Sequence, residues 1–422
     1  MRQLRILAVS MSARPHGIGG MEDHLHTLTE ELARRGHEIS VITARHPDGI
    51  EAETVGNIDW TYIDSGPHWL DPAWSPELGR AVRAHLESRQ VDVIHSQASS
   101  ALPLLRQPFP GLPPVVLSLH GNYLSIVQAA ATAALREPSP RNVARAGLTI
   151  ARVSRMHFRQ GNWRLFRGCE VSVPSHAQVR PSTWSHLLRT NHVHVVRSGV
   201  DTQVFRSRPM DTARQTLGIP LAVPVVLCVG RLDRGKGTDV AITALARLVE
   251  FPTARLILVG EGPRRAELAD LADKLGLGAR VVFTGRLDAD EVALHLSACD
   301  VFVFPTRLGE AGPLVVAQAM ATGTPVVASR IGAVPEMLGP DGEAGFLVRP
   351  GRPSEVAEAL RRLFSDPSLQ ERMGVRGRAH ALSEMTIEQM ADAMTEVYER
   401  ALRRPRADAV SGSVLAFREH GR

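Results

Sequence analysis

Short apolar runs alternate with longer stretches whose apolar residues recur every three or four positions. Runs of the first kind are Arg5–Val9, Glu38–Thr43, Asp92–His95, Val115–His120, Glu170–Ser175 and His194–Val196. Apolar on both faces and short, they read as buried parallel strands. Between the first two, Leu25, Leu28, Leu32 and Ala33 fall on one face of a helix over Met21–Arg35, closed by Gly36. A polar, irregular stretch, Arg206–Arg214, follows Phe205, and then the pattern restarts. Strands are expected at Pro224–Val229, Arg255–Val259, Arg280–Phe283 and Val301–Phe304, with helices between them. Helices over Ser354–Leu363 and Gln389–Leu402 end the pattern, and Arg403–Arg422 reads as a frayed tail. Strand–helix alternation in two blocks predicts an α/β chain with two parallel-sheet domains, 1–205 and 206–385, and a flexible tail over 403–422.

The stretch over residues 306–327 concentrates the chemistry. Glu310 precedes a turn with Gly312 and Pro313, and Leu314–Ala321 then reads as a buried helix stopped by Gly323 and Pro325. The first N–H groups of a helix have no intrahelical partner and the dipole is positive there, so the loop offers an anion site beside a carboxylate. That combination suits a ligand with hydroxyls and phosphates, such as a nucleotide sugar; an ordinary strand–loop–helix connection would look the same. Arg231 and Lys236 flank a glycine loop, GRLDRGKG at 230–237, at the end of an expected strand. Two cations at a helix N-terminus can clamp a diphosphate. The loop is not a Walker motif, because Lys236 is followed by Gly237 rather than Ser or Thr.

In the first block, Gly17, Gly19 and Gly20 serve either a tight turn or close approach of a phosphate or sugar. His95 and His120 end their expected strands, at the sheet edge where open α/β folds bind ligands. His120 is the better placed, with Gly121 and Asn122 after it. Asp288 and Asp290 could hold a divalent metal, but they immediately precede a helix with Glu291 in its first turn, and N-capping accounts for them. No other spacing of His, Cys, Asp or Glu suggests a metal, and no nucleophile–base pair appears.

Composition changes little. The chain has 422 residues, 44% hydrophobic and 22% charged, as expected of a globular protein. It has no apolar run long enough to cross a membrane, and its three distant cysteines, Cys169, Cys228 and Cys299, read as reduced thiols of a cytoplasmic protein. A net charge of +5 suits anionic ligands, but with 5% aromatic residues and no zinc or RNA-binding motif, nucleic acid is not expected. From Arg141 to Arg167 there are seven arginines and no acidic residue. Arg152, Arg155 and Arg159 share a helical face, which is a solvated surface or a contact for anionic lipid.

In order along the chain, Gly19–Gly20, His120, Ser198–Gly199–Val200–Asp201, GRLDRGKG, VGEGP at 259–263 and EAGPLVVAQAMATGTPVV at 310–327 resemble the retaining GT-B glycosyltransferases of family 4. The resemblance implies two Rossmann-like domains facing a cleft, an acceptor-binding domain followed by a nucleotide-sugar domain. A helix near 386–402 should pack back on the first. It implies metal-independent transfer of a hexose-type sugar to an acceptor hydroxyl, with no cofactor beyond the nucleotide-sugar substrate. Arg231 and Lys236 then match the pair that neutralises the donor diphosphate. Glu310 matches the carboxylate on the sugar hydroxyls, and His120 the histidine near the scissile bond. Gly19, Gly20, Gly312, Leu314 and Val315 should meet phosphates and sugar, and Gly285, Arg286 and Leu287 the base. The family usually carries a second glutamate eight positions after Glu310, where this chain has Gln318. The acceptor is open: a small polyol, aminocyclitol or natural product, or a lipid-linked molecule at the membrane surface, with His95 and Asn122 as candidate contacts. A nucleotide-sugar 2-epimerase and a catalytically weakened nucleotide-sugar-binding protein are the alternatives.

Overall fold

The computed structural model describes residues 2–17, 19–67, 71–121, 131, 139–154, 165–166, 169–186, 190–339 and 343–404. The first sheet contains β1 (Arg5–Val9), β2 (Glu38–Ala44), β3 (Ala52–Val55), β4 (Ile58–Ile63), β5 (Val93–Gln97), β6 (Val115–Ser118), β7 (Glu170–Val173) and β8 (Val193–Val195). Their spatial order is β3-β4-β2-β1-β5-β6-β7-β8. Every pairing is parallel except the β3–β4 hairpin at the edge, whose four-residue outer strand is largely exposed and escapes the apolar pattern.

The second sheet contains β9 (Val225–Val229), β10 (Arg255–Val259), β11 (Val281–Gly285), β12 (Val301–Phe304), β13 (Val326–Ser329) and β14 (Gly345–Val348), in the order β11-β10-β9-β12-β13-β14. All of its described pairings are parallel. In both sheets the strand order reverses beside the first strand, which opens a crevice at the carboxyl ends of the strands where ligands of such sheets bind.

Each sheet is buried on both faces. On the second, one face packs Leu245, Leu248 and Leu360, and the other packs Leu296, Val316 and Met320. The helix Leu314–Thr322 is therefore apolar nearly all round, and Gly323 ends it in the left-handed conformation. The last helix, Ile387–Arg403, starts at a capping box in which the Thr386 hydroxyl accepts from Gln389 N–H and Gln389 Oε1 accepts from Thr386 N–H. Its Met390, Met394, Val397 and Tyr398 pack with Leu25, Leu28 and Leu32 on the first sheet. Burying side chains of this size contributes about 1.5–3 kcal/mol each, so the chain's end is anchored to its beginning. At the crossing, Val200 N–H donates to Met385 O at 2.8 Å and Ile387 N–H to Val200 O at 3.3 Å. Gly199 is required there, because a Cβ would lie 2.6 Å from the Ile387 Cα.

The three cysteines are buried and unpaired. Asp288 caps its helix, accepting from Glu291 N–H while Glu291 accepts from Asp288 N–H, both at 2.9 Å. No helix among the described residues is long and apolar enough to cross a membrane.

Candidate active site

Two loops of the second sheet meet at the carboxyl ends of β9 and β12. Lys236 Nζ donates to Glu310 Oε1 at 2.6 Å, and the ammonium lies 5.8 Å from the centroid of the Phe304 ring. The pairing depends on how closely the loops approach. Gly237 sits at φ 70°, and a Cβ there would fall 2.1 Å from the Pro305 carbonyl oxygen. Arg307 ties the loops further: its backbone N–H donates to Gly235 O at 2.7 Å, and its guanidinium forks onto both oxygens of Asp239 at 2.7 and 2.6 Å. Arg264 adds a third bond to Asp239 at 3.2 Å. Burial pushes the Asp239 pKa up, but the bonds and charge of Arg307, with Arg264, outweigh it and hold the pKa below the usual value. Arg231 stands apart from the pair. Its side chain is 70% exposed and lies 3.5 Å from Asp233.

The Glu310 loop reaches the first sheet. Ser175 Oγ donates to Ala311 O at 2.7 Å, and Gly312 packs on Pro174 just past β7. Nearby, Glu336 accepts from the backbone N–H groups of His176 and Ala177 at 3.1 and 3.0 Å and from Arg197 at 2.6 Å. The carboxyl edges of the two sheets are thus held together across the Glu310 loop. The helix after Pro313 begins without a side-chain cap, so no side chain takes up the backbone N–H groups of its first turn, at Leu314 and Val315. Gln318 lies one turn further, half-buried. On the far side of the sheet, Gly285 ends β11 at φ 78°, Arg286 is exposed, and Leu287 packs partly into the core.

On the first sheet, Gly19 and Gly20 open the helix Gly20–Arg34, again without a side-chain cap. The strand ends expected at the two histidines are corrected. β5 continues to Gln97, so His95 lies inside it, 1% exposed, with both ring nitrogens engaged by Tyr398 and Gln97. β6 stops at Ser118, and His120 stands in the bend beyond, with its Nε2 buried and without a hydrogen-bond partner among the described residues. The His120 ring meets that of His24 at 4.5 Å between centroids and 71° between planes. Burial, with repulsion from His95, brings the His120 pKa down to about 4. Burial brings His95 to about 4 against the opposing bond to Gln97, and burial with repulsion from His120 and His95 carries His24 well below 6.5.

His24 and Gln97 were not singled out from the sequence. Gln97 follows His95 by two in a strand and must share its face, which was the available signal. Asn122 lies outside the described residues, as do Arg155, Arg159 and most of the tail. Among the described residues no group of His, Cys, Asp and Glu could hold a metal ion.

Residues 18–204 match the model of Glycosyltransferase Family 4, and residues 209–380 match that of Glycosyl transferases group 1. The chain belongs to the group 1 glycosyltransferases of family 4. Among its relatives, D-inositol 3-phosphate glycosyltransferase from Corynebacterium diphtheriae is 28% identical over 94% of this chain and 95% of its own length. GDP-mannose-dependent monoacylated alpha-(1-6)-phosphatidylinositol monomannoside mannosyltransferase from Corynebacterium glutamicum is 26% identical over 91% of this chain and 95% of its own. Sucrose-phosphate synthase from Thermosynechococcus elongatus superposes with a TM-score of 0.77 and 25% identity, covering 94% of this chain and 99% of the other. The glycosyltransferase therefore has the GT-B fold, two parallel-sheet α/β domains facing a cleft.

Proposed function

We propose that this glycosyltransferase moves a hexose-type sugar from a nucleoside-diphosphate sugar to an acceptor hydroxyl with retention of anomeric configuration. The observation that carries the reading is the Lys236–Glu310 pair at 2.6 Å, set before an uncapped helix at the edge that faces the first sheet. A cation and a carboxylate at one anion site match the two halves of such a donor. On this reading the unit over residues 206–385 takes the donor and the unit over 1–205 the acceptor.

Lys236 exchanges Glu310 for the donor diphosphate, with Arg231 swinging in from solvent. Glu310 is thereby freed for the sugar hydroxyls. The N–H groups around Gly312, Leu314 and Val315, with those at Gly19 and Gly20, meet phosphate and sugar. Gly285, Arg286 and Leu287 flank the base. Gln318 offers its amide oxygen to a ribose diol without charge. His120 presents its free Nε2 to the sugar near the scissile bond.

In the reaction the bond from the anomeric carbon to the β-phosphate oxygen breaks, and a bond to the acceptor oxygen forms on the same face. The acceptor proton passes to the departing phosphate, so no protein nucleophile is needed. Negative charge grows on the leaving group, and fixed cations and N–H groups stabilise it more in the transition state than in the ground state. The inositol-containing acceptors in the names of the two corynebacterial relatives support a polyol or lipid-linked acceptor. A thermal-shift panel of UDP, GDP, ADP and dTDP sugars tests the donor class. One or more should raise the melting temperature of the wild type and raise it less in Lys236→Ala; a flat response to all four refutes the reading.

A further inference from the structure

A buried polar chain runs from the last helix to His120. The Tyr398 hydroxyl bonds His95 Nδ1 at 2.8 Å, His95 Nε2 meets Gln97 Oε1 at 3.3 Å, and Gln97 Nε2 meets His24 Nδ1 at 3.1 Å. His24 then packs across His120. All four linking side chains are buried. One further bond fixes the direction of the whole chain. Gln97 Nε2 also reaches the Met21 carbonyl at 3.1 Å, and a carbonyl only accepts. Turning the amide over would set two oxygens against each other. The Gln97 nitrogen therefore donates twice, to Met21 O and to His24 Nδ1, which must be bare. Gln97 Oε1 can only accept, so His95 carries its proton on Nε2. His95 Nδ1 is then bare and Tyr398 donates to it. His24 is left neutral with its proton on Nε2.

We propose that Gln97 and His24 are positioning residues for His120, with His95 and Tyr398 completing the frame. The inference rests on the reading of His120 as the histidine at the donor sugar. His120 Nε2 has no hydrogen-bond partner among the described residues, so hydrogen bonding to them at that atom does not set the ring. The perpendicular His24 ring braces it, and His24 is held in one tautomer and orientation by Gln97. Because Tyr398 belongs to the helix that starts at the crossing between the two sheets, docking of that helix is part of assembling the site. A small misplacement of a reacting group can cost about 100-fold in rate.

The test uses the full chain. Long-range 15N–1H spectra of the imidazoles at pH 7 should show His24 and His95 neutral with the proton on Nε2. In Gln97→Leu the His24 signals should become an average of both tautomers. Release of UDP from UDP-glucose, or of GDP from GDP-mannose, should then show kcat down about 10- to 100-fold with donor KM within threefold. His24 found with its proton on Nδ1 in the wild type, or a cooperatively melting Gln97→Leu with kcat within twofold of wild type, overturns the proposal. If Gln97→Leu does not fold, Tyr398→Phe decides. It removes one oxygen and should lower kcat at least threefold at unchanged KM, and a wild-type kcat overturns the proposal. His120→Ala at wild-type kcat would instead refute the reading of His120, and the tautomer spectra of the wild type would stand apart from that result.

Discussion

Replacing Lys236 with alanine removes the ammonium that the loops hold against Glu310, at the proposed donor site. Its charge lies within hydrogen-bond reach of Glu310, so a diphosphate taking the place of that carboxylate would sit about 4 Å from it. At an effective dielectric of about 20, unit charges at about 4 Å attract by about 4 kcal/mol. The Lys236 side chain is 30% exposed, so solvent and salt weaken this. About 2–3 kcal/mol remains, which is about 30- to 150-fold in rate at 1.4 kcal/mol per tenfold. Loss of one fixed donor at a developing oxyanion costs a similar amount, about 10²–10³-fold. The assay is single-turnover release of nucleoside diphosphate from the donor that the thermal-shift panel selects, with melting curves as the control for folding. Lys236→Ala should lose about two orders of magnitude, and Lys236→Arg should recover part of that, since the charge returns with a different shape. The double variant with Glu310→Gln should lose less than the sum of the two single losses, because the residues contact each other. A Lys236→Ala protein that melts normally and reacts within threefold of wild type would refute the reasoning.

Gln318→Glu should tighten donor binding severalfold by adding a charged acceptor, since hydrogen bonds to charged groups contribute about 1.5–3 kcal/mol; calorimetric titration measures it, and an unchanged Kd would show that the position is not read. Gly199→Ala should destabilise the chain by about 1–3 kcal/mol, as the methyl group must displace the backbone at Ile387; urea melts that coincide with wild type would contradict the packing. The histidine cluster predicts a pH dependence. His95 and His120 have folded pKa values near 4, below the unfolded value near 6.5. The unfolded chain therefore binds more protons in that window, so stability is complete above pH 6.5 and is lost as the pH falls towards 4. Each imidazole contributes a slope of about 1.4 kcal/mol per pH unit in the window. Denaturant melts from pH 7.5 to 4.5 should show the loss, and a flat profile would mean that these rings are not held neutral.

Local patterns carried much of the architecture. The apolar runs located most strands, and Gly323 with Pro325 marked the end of the helix after Glu310, because a buried parallel strand must be apolar on both faces and a helix end needs a left-handed residue. The Asp288 cap was legible for the same reason: it is settled within three residues. The exposed outer strand β3 carried no such signature. The ordered motifs also brought the family within reach, and Lys236 and Glu310 into view as separate candidates. Their contact was not legible, because it spans 74 positions and depends on Gly237 lying against the Pro305 carbonyl. His95 shows the limit most clearly. From the sequence it was a strand end, either a candidate acceptor contact or a hydrogen-bonded core residue; in the folded chain Tyr398, 303 positions away, closes over it. Sequence determines which segments are strands and helices, since those choices depend on neighbours along the chain. Which polar groups face a ligand and which pair with one another is decided only when distant segments pack, because burial and hydrogen-bond partners are properties of that packing.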